Sequence, residues 1–216
     1  MHRFGGIIFD MDGLLLDSER IALDAFNCAC GEFGLGDQQA VFMRCVGTNR
    51  QRGEQIIRAG LAGQVDLAAF IASWDTQYAA RTVGVAIPVK AGAVALLQAI
   101  NKLGLPVAVA TSTATELAQA KLQAAGLLHF FQHIVGGDQV ARSKPEPDIY
   151  LHAARLLAVS PAAALALEDS ENGVLAALAA GMTVVQVPDL VQPSAALRAR
   201  GQHVLASLEE VPNHRF

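Results

Sequence analysis

Residues 4–13 read Phe-Gly-Gly-Ile-Ile-Phe-Asp-Met-Asp-Gly, and this stretch decides the fold. An apolar run ending in Ile7-Ile8-Phe9 gives way at once to Asp10 and Asp12, and Gly13 supplies a turn. A continuous apolar run without polar alternation suits a strand buried on both faces, as in a parallel sheet covered by helices. Acids at the end of such a strand are costly to bury unless a cation meets them or chemistry uses them. An isolated Asp-x-Asp is weak evidence, because surface turns carry many. Its place after a buried strand gives this one weight.

The same arrangement recurs downstream. Residues 106–110 run into Thr111-Ser112-Thr113, residues 165–167 into Glu168-Asp169, and residues 183–187 into Pro188. A shorter run, 133–135, ends at Gly136-Gly137. Between them the period becomes helical: Ala118, Leu122 and Ala125 precede Gly126, and Ile149, Ala153 and Leu156 follow Pro147. The 39 alanines favour helices packed closely on something flat. Alternation of this kind predicts an α/β fold with a doubly wound parallel sheet, its ligand crevice at the strands' carboxyl ends.

One interval breaks the pattern. About a hundred residues separate Asp10 from Thr111, whereas a βαβ unit takes about 30. The surplus has helical stripes of its own: Ala22, Ala25, Phe26, Ala29 and Phe33, then Leu67, Phe70, Ile71, Trp74 and Tyr78. Residues 17–84 are therefore expected to form a small α-helical cap domain inserted after the first strand. The core is then residues 1–16 and 85–216, with hinges near 15–17 and 83–88. A helical unit beside the crevice invites the role of a lid.

Composition narrows the classes further. The chain has 216 residues, 52% hydrophobic and 17% charged, which excludes disorder. Twenty acids against sixteen bases leave a net charge of −4, which argues against nucleic acid or an anionic membrane as partner. No apolar run approaches the roughly 18–20 residues of a membrane helix. The opening run is cut off by Asp10 and Asp12 and does not read as a signal peptide. Cys28 and Cys30 project about 200° apart on a helix, so they cannot chelate one metal. The three cysteines are expected to be reduced and mostly buried, and the protein to be cytoplasmic, a monomer or weak homodimer.

Taken in order, these motifs resemble the haloacid dehalogenase superfamily of phosphotransferases, in the branch with a helical cap after the first motif. Phe-Asp-Met-Asp-Gly-Leu (9–14) matches its first motif and Ala-Thr-Ser (110–112) its second. Ser-Lys-Pro-Glu-Pro-Asp (143–148) matches the third and Leu-Glu-Asp-Ser-Glu-Asn-Gly (167–173) the fourth. Within the superfamily the chain is most similar to the β-phosphoglucomutase-like and sugar-phosphate phosphatase group. The resemblance implies a Rossmann-like core and a Mg²⁺-dependent phosphatase of small phosphorylated metabolites, namely sugar phosphates. Asp10 would be the nucleophile that forms an aspartyl-phosphate. Asp12, protonated at first, would give its proton to the leaving alcohol and later take one from water. Mg²⁺ would be held by Asp10, the carbonyl of Asp12 and Asp169, with Glu168 as a ligand or one step removed. Lys144 would neutralise charge, and Thr111 with Ser112 would hold phosphate oxygens. In the cap, Arg50 would face the substrate's far end, and Glu19 at the hinge would reach the substrate. The charges agree: four acids and a phosphate dianion gathered in one place need a hard, oxygen-seeking cation.

Three other readings compete. A sugar-phosphate mutase would use the same core, but relatives of that type carry a histidine where this chain has Ala22, and no histidine occurs between His2 and His129. A true dehalogenase has no need of Asp12. A non-enzymatic phospho-aspartate signalling module would gather similar residues in another order, on a shorter chain without a cap.

Overall fold

The computed structural model describes residues 3–215. Strand β1 (Gly6–Phe9) is followed by four helices, α1 (Ser18–Glu32), α2 (Gln39–Met43), α3 (Arg50–Gly60) and α4 (Leu67–Thr82). Then come α5 (Ala93–Lys102), β2 (Val107–Ala110), α6 (Thr115–Ala124), β3 (His133–Val135) and α7 (Asp148–Leu156). Next are β4 (Ala164–Glu168), α8 (Glu171–Ala179), β5 (Thr183–Gln186), α9 (Ala195–Arg198) and β6 (His203–Val204), with a 3-10 helix at Leu208–Asn213 after them. The six strands form one sheet in the order β3-β2-β1-β4-β5-β6, with every pairing parallel. This is the doubly wound architecture the apolar runs predict. The strand order reverses at β1, whose neighbours are β2 and β4, and a crevice opens at that reversal.

The two faces of the sheet are packed differently, because side chains alternate along each strand. Ile7, Phe9, Val107, Val109, Leu165, Leu167 and Val185 point to one face and join Leu96, Leu97 and Ile100 of α5 and Leu122 of α6. The other face carries Ala108, Ala110, Ala164 and Ala166, against Ala153 and Ala154 of α7 and Ala176 and Ala177 of α8. This face is rich in alanine. Small residues on both sides bring α7 and α8 close to the strands.

The helices between β1 and α5 have a separate apolar cluster: Phe26, Ala29, Cys30, Phe42, Ile57, Leu61, Phe70 and Ile71. Phe26 lies edge-on to Phe70 and Trp74, each about 5.5 Å away between ring centroids. Both sequence stripes are present, as α1 and α4, but α2 and α3 also contribute. Asn49 caps α3 by accepting from the Arg52 N–H, and Asp66 caps α4 by accepting from Ala68 and Ala69. Two strips of chain join these helices to the sheet. They run side by side, with Asp17 N–H donating to the Pro88 carbonyl and Lys90 N–H to that of Leu15. Buried Asp189, after β5, accepts from Arg20 at 2.6 Å and Lys90 at 2.8 Å and fastens the junction.

Some expectations need correction. Cys28 is exposed, because its side of α1 faces away from the cluster that buries Cys30. Strand β6 was not foreseen: with two residues it is too short to show a period. The strand expected at 165–167 extends to Ala164–Glu168, so Glu168 belongs to the sheet itself.

Candidate active site

Four chain segments converge at the carboxyl edge of the central strands. Asp10 directly follows β1, Thr111 follows β2, Glu168 ends β4 and Asp169 comes next. Lys144 arrives from the loop before α7. Gly13 turns the chain back at φ 87°, and a Cβ there would overlap the Asp169 carboxylate. A side chain at this position would both strain the backbone and displace an acid of the site.

The core of the site is a buried cation among acids. Lys144 Nζ donates to Asp10 Oδ1 and Glu168 Oε1, each at 2.6 Å, and to the Ala110 carbonyl at 3.0 Å. Glu168 is completely buried and accepts four more bonds: from Tyr150 Oη, the backbone N–H groups of Asp169 and Ser170, and Ser170 Oγ. Its oxygens are fully committed, so it acts as the anchor that aims Lys144. Among the described residues no donor reaches the Asp169 carboxylate. Burial, then the neighbouring acids, holds the Asp169 carboxyl well above the usual range. Burial raises Asp10 in the same way, against the pull of Lys144. Oxygens of Asp10, Glu168 and Asp169 lie within 4.8 Å of one another. One lysine facing three buried carboxylates leaves an excess of negative charge, which a small oxygen-seeking dication fits.

Asp12 is held differently. Its Oδ1 accepts from Ser18 Oγ at 2.7 Å and Lys121 Nζ at 2.8 Å, and its Oδ2 from Thr113 Oγ1 at 2.7 Å and Thr111 Oγ1 at 3.3 Å. Although burial works the other way and is the largest influence, Lys121 and these hydroxyls keep its carboxyl below the ordinary range. Four donors therefore face Asp12 and favour its charged form when no phosphate is bound.

Lys121 is a site residue that sequence reasoning missed. It comes from α6, is buried, and lies 5.5 Å from the ring centre of Tyr78 on α4. A signal existed. Ala118, Lys121, Leu122 and Ala125 form an i, i+3, i+4, i+7 set, with a lysine occupying a place on the apolar face. Tyr150, which completes the surroundings of Glu168, gave no comparable signal.

A cavity of about 390 Å³ opens over these groups. Asp10, Asp12, Thr111, Ser112 and Lys121 line it from the sheet side, and Glu19, Ala22, Thr48, Arg50 and Tyr78 from the inserted helices. Of the sequence candidates, Asp10, Asp12, Glu19, Arg50, Thr111 and Ser112 share this cavity, whereas Lys144, Glu168 and Asp169 do not line it and cluster with Asp10 instead. Arg50 is not open-handed: its guanidinium bonds both Asp75 oxygens at 2.7 and 2.6 Å, and Nε bonds Glu54 at 2.5 Å. Glu19 is pushed up to about 8, first by burial and then by the charge of Asp12. Thr111 accepts from the Thr113 N–H, fixing the loop after β2. Ser112 Oγ is buried with no partner among the described residues.

Comparison with known proteins gives a consistent picture. A family model described as haloacid dehalogenase-like hydrolase matches residues 4–181. The chain is 35% identical over 188 residues to hexitol phosphatase A of Escherichia coli, covering 86% of this chain and 83% of that protein. It is 31% identical over 196 residues to the fructose-1-phosphate phosphatase YqaB of the same organism, covering 86% and 97%. Among solved structures it is similar to CbbY from Rhodobacter sphaeroides in complex with xylulose 1,5-bisphosphate. The TM-score is 0.75, with 29% identity and 96% coverage of each chain.

Proposed function

The chain belongs to the haloacid dehalogenase-like hydrolase family and is a phosphatase, and on that premise we propose that it hydrolyses sugar phosphates through an aspartyl-phosphate on Asp10, using Mg²⁺. The observation that carries this reading is the setting of Asp10. It lines the cavity while Lys144 holds its Oδ1, and a second acid, Asp12, stands two residues on.

Asp10 attacks phosphorus in line, its carboxylate oxygen forming the new bond as the bond to the sugar oxygen breaks. Asp12 delivers a proton to the departing alcohol oxygen. Since its four donors favour the charged form, Asp12 gains that proton as the phosphate dianion enters and its negative charge raises the carboxyl's proton affinity. Once the alcohol has left, Asp12 takes a proton from the water that attacks the acyl-phosphate, and Asp10 is regenerated. Thr111 and Ser112 orient phosphate oxygens, and Lys144 balances charge on the transferring group. Bound through Asp10, Asp169 and the Asp12 carbonyl, with Glu168 behind them, Mg²⁺ would supply Lewis-acid stabilisation of the phosphoryl oxygens. Helices α1–α4, residues 17–84, act as a cap whose closure excludes bulk water.

A mutase on this scaffold is less well supported. Ala22 lines the cavity and offers neither acid nor base. The test is phosphate release from fructose 1-phosphate, hexitol phosphates and β-glucose 1-phosphate, with Mg²⁺ and with EDTA. Free phosphate is expected only with the metal. Conversion of β-glucose 1-phosphate, primed with the 1,6-bisphosphate, to glucose 6-phosphate without free phosphate would replace this reading with the mutase.

A further inference from the structure

Arg50, on the wall that the inserted helices give the cavity, belongs to a charge arrangement that bears on which phosphorylated molecules fit. A second phosphate on a substrate would need an unspent cation there. Arg50 and Lys121 are the cationic residues among those lining the cavity, and both are committed. Lys121 is paired with Asp12 at 2.8 Å. The forked face of Arg50 is closed by the two Asp75 oxygens, and its Nε by Glu54. A phosphate approaching Arg50 in the favoured two-pronged manner must displace a carboxylate that already occupies that geometry. The displaced acid has nowhere distant to go, since Asp75 is on α4 and Glu54 one turn along α3 from Arg50 itself. Arg50 with Glu54 and Asp75 sums to a net charge of −1, and the arriving phosphate would meet repulsion. Thr48 and Tyr78, which line both the cavity and the recess beside it with Arg50, carry hydroxyls, which suit the alcohols of a sugar.

We infer that the enzyme is selective for monophosphates whose far end is an uncharged polyol, and that Asp75 and Glu54 are the specificity-determining residues that turn away a second phosphate. The inference rests on the phosphatase reading and narrows it. The arginine here acts as a bolt joining α3 to α4, holding two acids in the adjoining recess, which shares Ala22, Thr48, Arg50 and Tyr78 with the cavity.

The test uses the full chain and one matched pair, fructose 1-phosphate and fructose 1,6-bisphosphate. In wild type, kcat/KM with Mg²⁺ should favour the monophosphate by about tenfold or more, the scale expected of two nearby carboxylates. The Asp10→Asn protein, assayed by calorimetry, should show the same preference in binding, free of any turnover. In the Glu54→Gln/Asp75→Asn double variant the preference should shrink by about tenfold, mainly through KM for the bisphosphate. A merely structural role for the two acids would lower both substrates together and leave the ratio alone. Equal use or preference for the bisphosphate in wild type, or an unchanged ratio in the double variant, overturns the inference. Failure to release phosphate from any monoester would instead strike the phosphatase reading, and the binding comparison would still decide this one.

Discussion

Replacing Lys144 by Met removes the ammonium while keeping most of the stem, and the structure sets the size of the effect. The lysine side chain is 2% exposed and its partners Asp10 and Glu168 are 8% and 0% exposed. Exposed ion pairs contribute about 0–1 kcal/mol, but removing one partner of a buried pair costs about 3–5 kcal/mol, because a charge is left uncompensated. Here one ammonium serves two carboxylates, while Glu168 retains its bonds from Tyr150 and the backbone. In a chain of this length each kcal/mol moves Tm by about 2–4 °C, so a drop of about 6–20 °C is expected. The assay is thermal unfolding by circular dichroism in EDTA, at pH 8 and at pH 5.5. Asp10 already has a raised carboxyl in the folded protein, and loss of Lys144 raises it further. A carboxyl with a folded pKa above its unfolded value costs stability at high pH, and that cost disappears as pH falls through the folded value. The deficit of the variant must therefore be larger at pH 8 than at pH 5.5. A drop below about 3 °C at pH 8, or a deficit that grows on acidification, would refute the argument.

Asp10→Asn should lose at least about 10³-fold in phosphatase activity yet melt no lower than wild type in EDTA, since it relieves an excess of buried negative charge; activity and melting curves together check this. Glu19, with its carboxyl near 8, destabilises the metal-free protein as pH rises from about 4.5 toward 8. Glu19→Gln should accordingly raise Tm at pH 9 and leave it nearly unchanged at pH 5, and equal shifts at both would count against it. Lys121→Met removes the main charge that holds Asp12 low, so the limb of the pH–rate profile due to Asp12 should move up by at least about one unit, read from kcat/KM against pH. Asp169→Asn should raise the Mg²⁺ concentration needed for half-maximal rate at least about tenfold, and an identical titration would remove Asp169 from the metal's ligands.

What could be read in the sequence follows from where the physics is local. The central strands were legible because Ile7-Ile8-Phe9 and Leu165-Ala-Leu are continuous apolar runs, each closed by acids. The acids themselves stood out as expensive residues in cheap surroundings. Lys121 was hidden because its meaning depends on a partner 109 positions away, and only its intrusion into an apolar helical face hinted at it. The pairing of Arg50 with Asp75 was equally out of reach, since α3 and α4 meet only through tertiary packing. The surroundings of Asp12 were out of reach for the same reason: Ser18, Thr111, Thr113 and Lys121 come from three separate segments.

The placement of β1 has a consequence for how the protein is made. This strand is synthesised before either of its partners, yet it ends at the middle of the sheet. Its partner on one side, Val109 beside Phe9, is a hundred residues further on, and its partner on the other, Leu167, is later still. At about 5–20 residues per second, Gly6–Phe9 waits about 5–20 s for its first neighbour, with both edges unpaired. During that wait α1–α4 are synthesised, and their apolar cluster draws almost entirely on their own residues. The nascent chain is therefore expected to complete its helical insertion first, with the strand before Asp10 hanging beside it as a four-residue apolar thread. Non-local pairing of this kind is slow. The cluster of acids is assembled later still, when β4 joins the sheet and Glu168 and Asp169 meet Asp10.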